Sequence, residues 1–148
     1  MPTRLQKLRG ALLTRHPESE LEPLTPARMK RLLSKHPRMP AHLRDFFRQV
    51  GCGCIGDSCY AIYPPIDPSE IFDKKTAAGL KGVVLVGDDF AGTHDAYDTR
   101  GRWWRFGQVG GGGTFRPSDK PKNLVALVSE WFAGPAPDAA PAGGANSR

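Results

Sequence analysis

The chain has 148 residues, of which 39% are hydrophobic and 24% are charged. That length predicts one domain, large enough to bury a core without disulfides or metals. The sequence contains no apolar run of about 18 residues, and no apolar stretch follows its basic start, so we expect neither a membrane span nor a secretory signal. Three cysteines are too few for a disulfide scaffold, which favours reduced thiols and a cytoplasmic location.

The positive charge is concentrated in the N-terminal third. The formal net charge is +6, and residues 1–50 contain 11 Lys or Arg against 4 Asp or Glu. A basic patch of this kind would suit a nucleic acid, a membrane surface or an acidic partner. The alternative, which we favour, is the solvated face of amphipathic helices, because the basic residues flank leucines at helical spacing. The segment also lacks aromatic residues before Phe46, so it offers no stacking platform for bases.

The first half of the chain has helical periodicity. Leucines at i, i+3, i+7 and i+8 predict a helix over residues 3–15, and residues 16–24 are expected to be a connector. Thr25 followed by Pro26 predicts a helix start, and this helix should end before Pro37. Pro40 opens a third predicted helix, which Gly51 ends.

The second half is dominated by short strands. We expect strands at residues 60–63, ended by two prolines, and at residues 83–86; residues 94–97 and 103–106 should form a hairpin. Residues 68–70 should start a helical turn, and an apolar stripe from Leu124 to Phe132 predicts a closing helix. Segregated helices and strands indicate an α+β fold with a mixed or antiparallel sheet, flanked by N-terminal helices and one C-terminal helix. Residues 110–113 should be a glycine loop.

Two motifs with possible chemistry lie in the middle of the chain. Residues 51–56 spell G-x-G-x-x-G, but here the glycines follow a helix and precede a strand, the reverse of a dinucleotide site, so we expect a plain glycine-rich turn. Cys52, Cys54 and Cys59 would supply three thiolates to a metal, with His42 or His94 as a fourth ligand, yet their spacing does not match structural zinc sites. We therefore expect no metal and no cofactor.

An acidic cluster with one histidine follows the predicted strand 83–86. It consists of Asp88, Asp89, His94, Asp95 and Asp98. As an enzyme, this would be a carboxylate–imidazole site for acid–base or metal chemistry. The interpretation we favour is structural, because aspartates populate turns and bind their own backbone.

The tandem tryptophans are the second candidate for a contact surface. Trp103 and Trp104 should point to opposite faces of a strand, which predicts one in the core and one at least partly exposed. An exposed tryptophan beside Arg102 and Arg105 would suit a protein–protein contact, since Trp and Arg are enriched in binding hot spots. The alternative is that the domain's own helices cover both rings.

Taken together, these segments resemble the SUKH superfamily. Residues 39–51, MPAHLRDFFRQVG, are similar to its L-P-x-x-[YL]-x-x-F-[LF]-x-x-x-G opening. Residues 84–92, VLVGDDFAG, resemble its strand with a Gly/Asp-rich turn, and Ala96-Tyr97-Asp98 with Gly101 resembles its hairpin. The closing helix around residues 123–131 also fits. We accordingly divide the chain into an N-terminal helix and connector (1–24), a SUKH-like domain (25–133) and a disordered Gly/Ala/Pro tail (134–148).

The resemblance implies a binding function without catalysis. Many bacterial members of the superfamily are immunity proteins that block a toxin, often a nuclease, and fungal relatives regulate cell-wall synthesis. Because a nuclease is itself basic, charge complementarity favours the acidic segment 88–98 as the contact face. The predicted partner-binding residues are Asp88, Asp89, His94, Asp95, Trp103 and Trp104.

We therefore expect a monomeric, non-enzymatic module whose partner is a cognate protein toxin, without membrane association. Two alternatives remain open at this point. One is an adaptor or regulatory protein of the same fold, which would have several weak partners. The other is nucleic-acid binding through the basic N-terminal third, which would weaken steeply with salt.

Overall fold

A computed structural model describes residues 2–107, 117 and 122–133 of the chain. Their helices and strands, in chain order, are α1 (Arg4–Arg15), β1 (Glu20–Glu22), α2 (Pro26–Lys35), α3 (Ala41–Gln49), β2 (Cys52–Ile55), β3 (Tyr60–Ile66), α4 (Lys74–Ala78), β4 (Val83–Asp88), β5 (His94–Asp98), β6 (Trp103–Phe106) and α5 (Leu124–Val128). A 3-10 turn, Pro68–Glu70, precedes α4, and α5 continues as a π-helical turn, Ser129–Ala133. The predicted α+β class is confirmed.

The six strands form one antiparallel sheet in the order β1-β2-β3-β4-β5-β6. Each strand therefore pairs with its neighbour in sequence. This order puts two connections at one end of the sheet, the β2–β3 turn and the β4–β5 loop. The base of the β5–β6 hairpin turn and the start of β4 lie at the opposite end.

The helices begin where the sequence predicts. Thr25 accepts a hydrogen bond from the Arg28 amide at the start of α2, and Asn123 accepts one from the Ala126 amide at the start of α5. These side chains satisfy amide groups that a helix leaves without internal partners. Capping and amphipathic spacing thus fix the helix positions from the sequence alone.

Apolar side chains form a core on each face of the sheet. The larger core joins the helices to one sheet face and includes Leu12, Phe46, Tyr60, Tyr97 and Trp103. The smaller core lies on the other face, where Leu80, Leu85 and Phe106 pack with Phe72 and Trp104; these five are a selection of its members. The alternation along β6, with Trp103 in one core and Trp104 against the other, confirms the predicted division of the tandem tryptophans.

The first 24 residues belong to the same core as the rest of the described chain. Leu8 and Leu12 of α1 and Leu21 of β1 are buried in the larger core. The predicted connector, residues 16–24, contains strand β1, which pairs with β2. The predicted tail, 134–148, and the glycine loop, 110–113, lie outside the described residues.

The predicted glycine-rich turn at residues 51–56 is instead largely strand β2. Gly53 has φ +139°, and a Cβ atom there would lie 1.8 Å from the carbonyl oxygen of Glu20 on β1. The missing side chain lets β1 approach β2 closely, so the glycines serve a strand pairing and not a nucleotide site.

Strand β3 also departs from the prediction, because it continues through Pro64 and Pro65 to Ile66. The register with β4 shifts between Ile62 and Ile66. Proline has no amide hydrogen, so an irregular stretch of ladder is where a strand tolerates it. Helix α4 was not predicted.

Replacing Gly53 with alanine tests the close approach of β1. We expect Gly53→Ala to lower the free energy of unfolding by about 2–4 kcal/mol, because the new methyl group meets backbone in a left-handed conformation. Gly10→Ala is the matched control, since nothing lies within 4 Å of a Cβ atom there in the interior of α1. That control should stabilise the protein by about 0.5–1 kcal/mol. Equal effects of the two variants in urea denaturation would contradict this account.

Candidate functional site

The six residues predicted to bind a partner all lie on β4, β5, β6 or the β4–β5 loop, but they do not form one exposed surface. Asp95 has no exposed surface and Trp103 is 3% exposed. The other four, Asp88, Asp89, His94 and Trp104, are half-buried. Burial of Asp95 and Trp103 corrects the prediction, because a side chain inside the domain does not touch a partner in this conformation.

Asp95 is the centre of a buried polar network that joins three strands. Its Oδ2 accepts a hydrogen bond of 2.7 Å from the hydroxyl of Tyr60 on β3. Nη1 of Arg105 on β6 lies 2.9 Å from each carboxylate oxygen. Burial raises the pKa of Asp95, although Tyr60 and Arg105 both stabilise its charged form. The carboxylate is therefore enclosed and paired, which suits a structural role better than acid–base chemistry.

Gly87 on β4 makes room for this network. Strand β4 lies between β3 and β5, so the Tyr60 side chain must cross it to reach Asp95. A Cβ atom at Gly87 would lie 2.4 Å from the Tyr60 hydroxyl oxygen and 2.9 Å from the Ala61 carbonyl oxygen. The Gly-Asp pair at 87 and 88, which resembles a family pattern, thus has a physical reason at its glycine.

Asp98 organises the β5–β6 hairpin. Its carboxylate accepts hydrogen bonds from the amides of Arg100 and Arg102, from Nε of Arg102 and from the indole nitrogen of Trp104, at 2.8–3.0 Å. Burial raises the pKa of Asp98, but the bonds from Trp104, Arg102 and Arg100 outweigh it, and the net shift is downward. Asp98 is a turn residue, as the structural interpretation of the cluster predicts.

Asp88 and Asp89 hold the β4–β5 loop in shape. Asp88 accepts a hydrogen bond from the Phe90 amide, and Asp89 accepts bonds from the Ala91 and Thr93 amides. The loop holds Phe90 at φ +62° with 51% of its surface exposed. A left-handed backbone is costly for a bulky residue, and strain of this kind is concentrated at functional positions.

His94 lies among aromatic rings instead of at an open acid–base site. Its ring centroid is 5.0 Å from that of Phe72 and 5.8 Å from that of Phe106. Burial lowers the pKa of His94 in spite of the nearby carboxylates of Asp88 and Asp89. The imidazole is therefore neutral at pH 7 and forms part of the packing on the smaller-core face.

Trp131 is the residue that sequence patterning misplaced. Its position on the apolar stripe of the last helix predicts burial, yet 49% of its surface is exposed. The Cζ atom of Arg105 lies 4.3 Å from the centroid of the Trp131 ring, a cation–π contact. The buried Asp95 thus orients Arg105, and Arg105 supports an exposed indole.

Exposed aromatic and acidic groups share one end of the sheet. Asp57 is exposed in the β2–β3 turn, and Asp88, Asp89 and Phe90 lie at the β4–β5 loop. Arg105, below Trp131, is close enough to Asp89 to lower its pKa, although burial is the largest influence and acts in the opposite direction. We call Asp57, Asp88, Asp89, Phe90 and Trp131 the acidic–aromatic edge.

The cysteines do not converge on a metal. Cys52 and Cys54 are half-buried on β2, and Cys59 is exposed in the following turn; none is in a disulfide. Burial raises the pKa of Cys52 to about 12, which opposes thiolate formation. Among the described residues, no three His, Cys, Asp or Glu side chains are grouped so that they could hold a metal ion.

At least one basic side chain of the N-terminal third has a structural role. Arg9 of α1 donates hydrogen bonds to the carbonyl oxygens of Leu21 and Val50, which ties the helix to β1 and to the end of α3. In the part of the chain that the structure describes, no helix is long and apolar enough to cross a membrane.

Comparison with known proteins gives no neighbour. No protein-family model matches the chain, and no curated protein and no solved structure matches it. The resemblance to the SUKH superfamily therefore rests on the motifs and on their positions in the fold.

Replacing Asp98 with asparagine tests its role in the hairpin. We expect Asp98→Asn to lower the free energy of unfolding by about 2 kcal/mol near neutral pH, because charge-assisted hydrogen bonds are lost. The folded-state pKa of Asp98 is lowered, so its contribution is present above the unfolded pKa of about 3.9 and is lost as the pH falls through the folded pKa. The difference between variant and wild type should therefore shrink below about pH 4. A difference that stays constant in urea titrations across this range would exclude the charge-based account.

Replacing Tyr60 with phenylalanine tests the crossing over Gly87. We expect Tyr60→Phe to destabilise the protein by about 1–3 kcal/mol, because Asp95 loses a partner in a site without water. Tyr63→Phe is the matched control, since the Tyr63 hydroxyl is buried without a hydrogen-bond partner among the described residues. The control should be close to neutral in the same denaturation experiment, and equal losses would refute the special role of Tyr60.

Proposed function

We propose that this chain is a non-catalytic protein-binding module related to the SUKH superfamily, and that it neutralises a basic protein toxin. The observation that carries the proposal is the acidic–aromatic edge, where Phe90 and Trp131 expose about half of their surfaces beside three aspartates. Half-exposed aromatic residues within a charged rim are the usual composition of a binding hot spot.

The polar groups next to the edge support binding rather than catalysis. Asp95 is enclosed, Asp98 is saturated by donors, and His94 packs between two rings. Asp88 and Asp89 are engaged by loop amides. Each of these groups already has a structural task, and together they fix the positions of the two exposed aromatic side chains.

The charge distribution favours a basic partner. The edge carries the carboxylates of Asp57, Asp88 and Asp89, while the charge of Arg105 is matched by Asp95. Complementary charge accelerates the encounter of two proteins and fixes their orientation. A toxin that cleaves or binds nucleic acid is basic at its active site, so this edge would cover such a site.

The test begins with the tagged chain as bait in lysate from its native source at moderate salt. We expect one stoichiometric protein partner that stops growth when expressed alone and is harmless when co-expressed with this chain. Several weak partners would favour the adaptor alternative, and recovery of nucleic acid alone would favour the basic N-terminal third. Either of these results would overturn the immunity proposal.

Variants of the edge then locate the contact. Asp57→Asn, Asp88→Asn and Asp89→Asn together remove three charges but keep a side-chain oxygen to accept the loop amides. We expect the association rate to fall about tenfold or more at low salt and to become less salt-dependent. Arg31→Gln, an exposed charge change on α2, is the control and should have little effect.

Phe90→Gly separates binding from folding. Glycine adopts a positive φ without strain, so we expect the free energy of unfolding to change by less than about 1 kcal/mol. Affinity for the partner should fall by about 30-fold, the effect of removing a hot-spot residue. Unchanged affinity in calorimetric titration, with folding intact, would remove Phe90 from the contact surface.

A further inference from the structure

A cavity lies at the end of the sheet opposite the acidic–aromatic edge. It has a volume of about 180 Å³ and is enclosed by the α2–α3 connector, the start of β4 and the end of β5. The lining residues that matter here are Lys35, His36, Arg38, Met39, Val84 and Tyr97. Cavities of about 150 Å³ hold a benzene ring, so the space suits a small organic molecule.

Two polar atoms of the cavity residues are buried without a partner. The Tyr97 hydroxyl and Nε2 of His36 make no hydrogen bond with any described residue, and Tyr97 is only 3% exposed. Buried polar groups in proteins nearly always have a partner, and each exception calls for an explanation. Two exceptions on one cavity point to a molecule that supplies the missing hydrogen bonds.

The charges around the cavity favour an anion. Lys35 and Arg38 contribute two exposed cationic side chains to the lining. Asp98 also lines it, but its carboxylate already accepts bonds from Arg102 and Trp104. Burial lowers the pKa of His36, so its ring is neutral at pH 7 and adds no charge.

We propose that this cavity binds a small organic monocarboxylate with an apolar body. The carboxylate lies at the mouth, where Lys35 and Arg38 attract it, and the Tyr97 hydroxyl donates a hydrogen bond to it. The apolar body packs against Met39 and Val84. This site is separate from the acidic–aromatic edge, so it stands or falls independently of the proposed toxin partner.

The test uses benzoate and hexanoate as probes, with benzamide as a neutral probe of the same shape as benzoate. Titrations of the full chain are followed by NMR. We expect saturable shifts at the cavity residues with at least one carboxylate, and about tenfold weaker binding of benzamide. Tyr97→Phe should weaken carboxylate binding about five- to tenfold, because it removes one hydrogen bond. Lys35→Gln with Arg38→Gln should abolish the preference for a carboxylate over benzamide.

Matched controls separate the site from general effects. Tyr63→Phe removes a buried, unpartnered hydroxyl on the smaller-core face, and Lys7→Gln removes an exposed charge on α1. Neither should change binding. Tyr97→Phe should leave the thermal stability of the free protein unchanged or raised, since its hydroxyl has no partner there.

Three results would overturn the proposal. The first is that neither carboxylate shifts the cavity resonances at millimolar concentration. The second is that benzamide binds as tightly as benzoate. The third is that Tyr97→Phe destabilises the free protein while carboxylate affinity is unchanged, which would assign the hydroxyl to a structural water.

Discussion

The fold depends on a carboxylate that has no contact with solvent. Asp95 draws Tyr60 from β3 and Arg105 from β6 to one point, so that strands which are not neighbours are linked through a single side chain. An unpaired charge at this depth would cost several kcal/mol, and both partners are therefore required together. Gly87 is the geometric condition for the link, because any larger residue on β4 would occupy the path of the Tyr60 ring.

The same network reaches the surface through the C-terminal helix. Arg105 lies against the Trp131 ring, and the next residue, Phe132, packs 5.7 Å from Tyr60, centroid to centroid. Phe132 also meets His16 of α1, whose Nε2 lies 3.2 Å from the Phe132 carbonyl oxygen. One buried cluster therefore fixes the sheet, the last helix and the first helix in relation to each other. The exposed indole inherits this rigidity, which lowers the entropy that a binding contact must lose.

The sequence predicted the elements whose information is local. Amphipathic spacing and capping residues located α1, α2, α3 and the closing helix, and turn residues located the β5–β6 hairpin. Strands β1 and β2 were missed because Glu-Leu-Glu is short and because the glycines of β2 lack side chains that would show alternation. Their pairing depends on backbone contact between Glu20 and Gly53, which no local pattern reveals.

The candidate site shows the same limit. The turn roles of Asp88, Asp89 and Asp98 were predictable because their hydrogen bonds span two to four residues. The burial of Asp95 was not, because its phenol partner is 35 positions away and the intervening glycine looks like any other. Trp131 was misplaced because helical periodicity gives the direction of a side chain but not whether another element covers it.

Charge and strain lead to one conclusion about the acidic–aromatic edge. The chain has a net charge of +6, yet the edge concentrates carboxylates at the end of the sheet where two loops meet. A molecule with this asymmetry orients its acidic end toward a basic partner during approach, a long-range effect that short-range packing does not provide. At that end the fold keeps Phe90 in a left-handed conformation, which stability alone does not favour. Three hydrogen bonds from Asp88 and Asp89 maintain it, so the carboxylates that attract a partner also present the ring that the partner would bury.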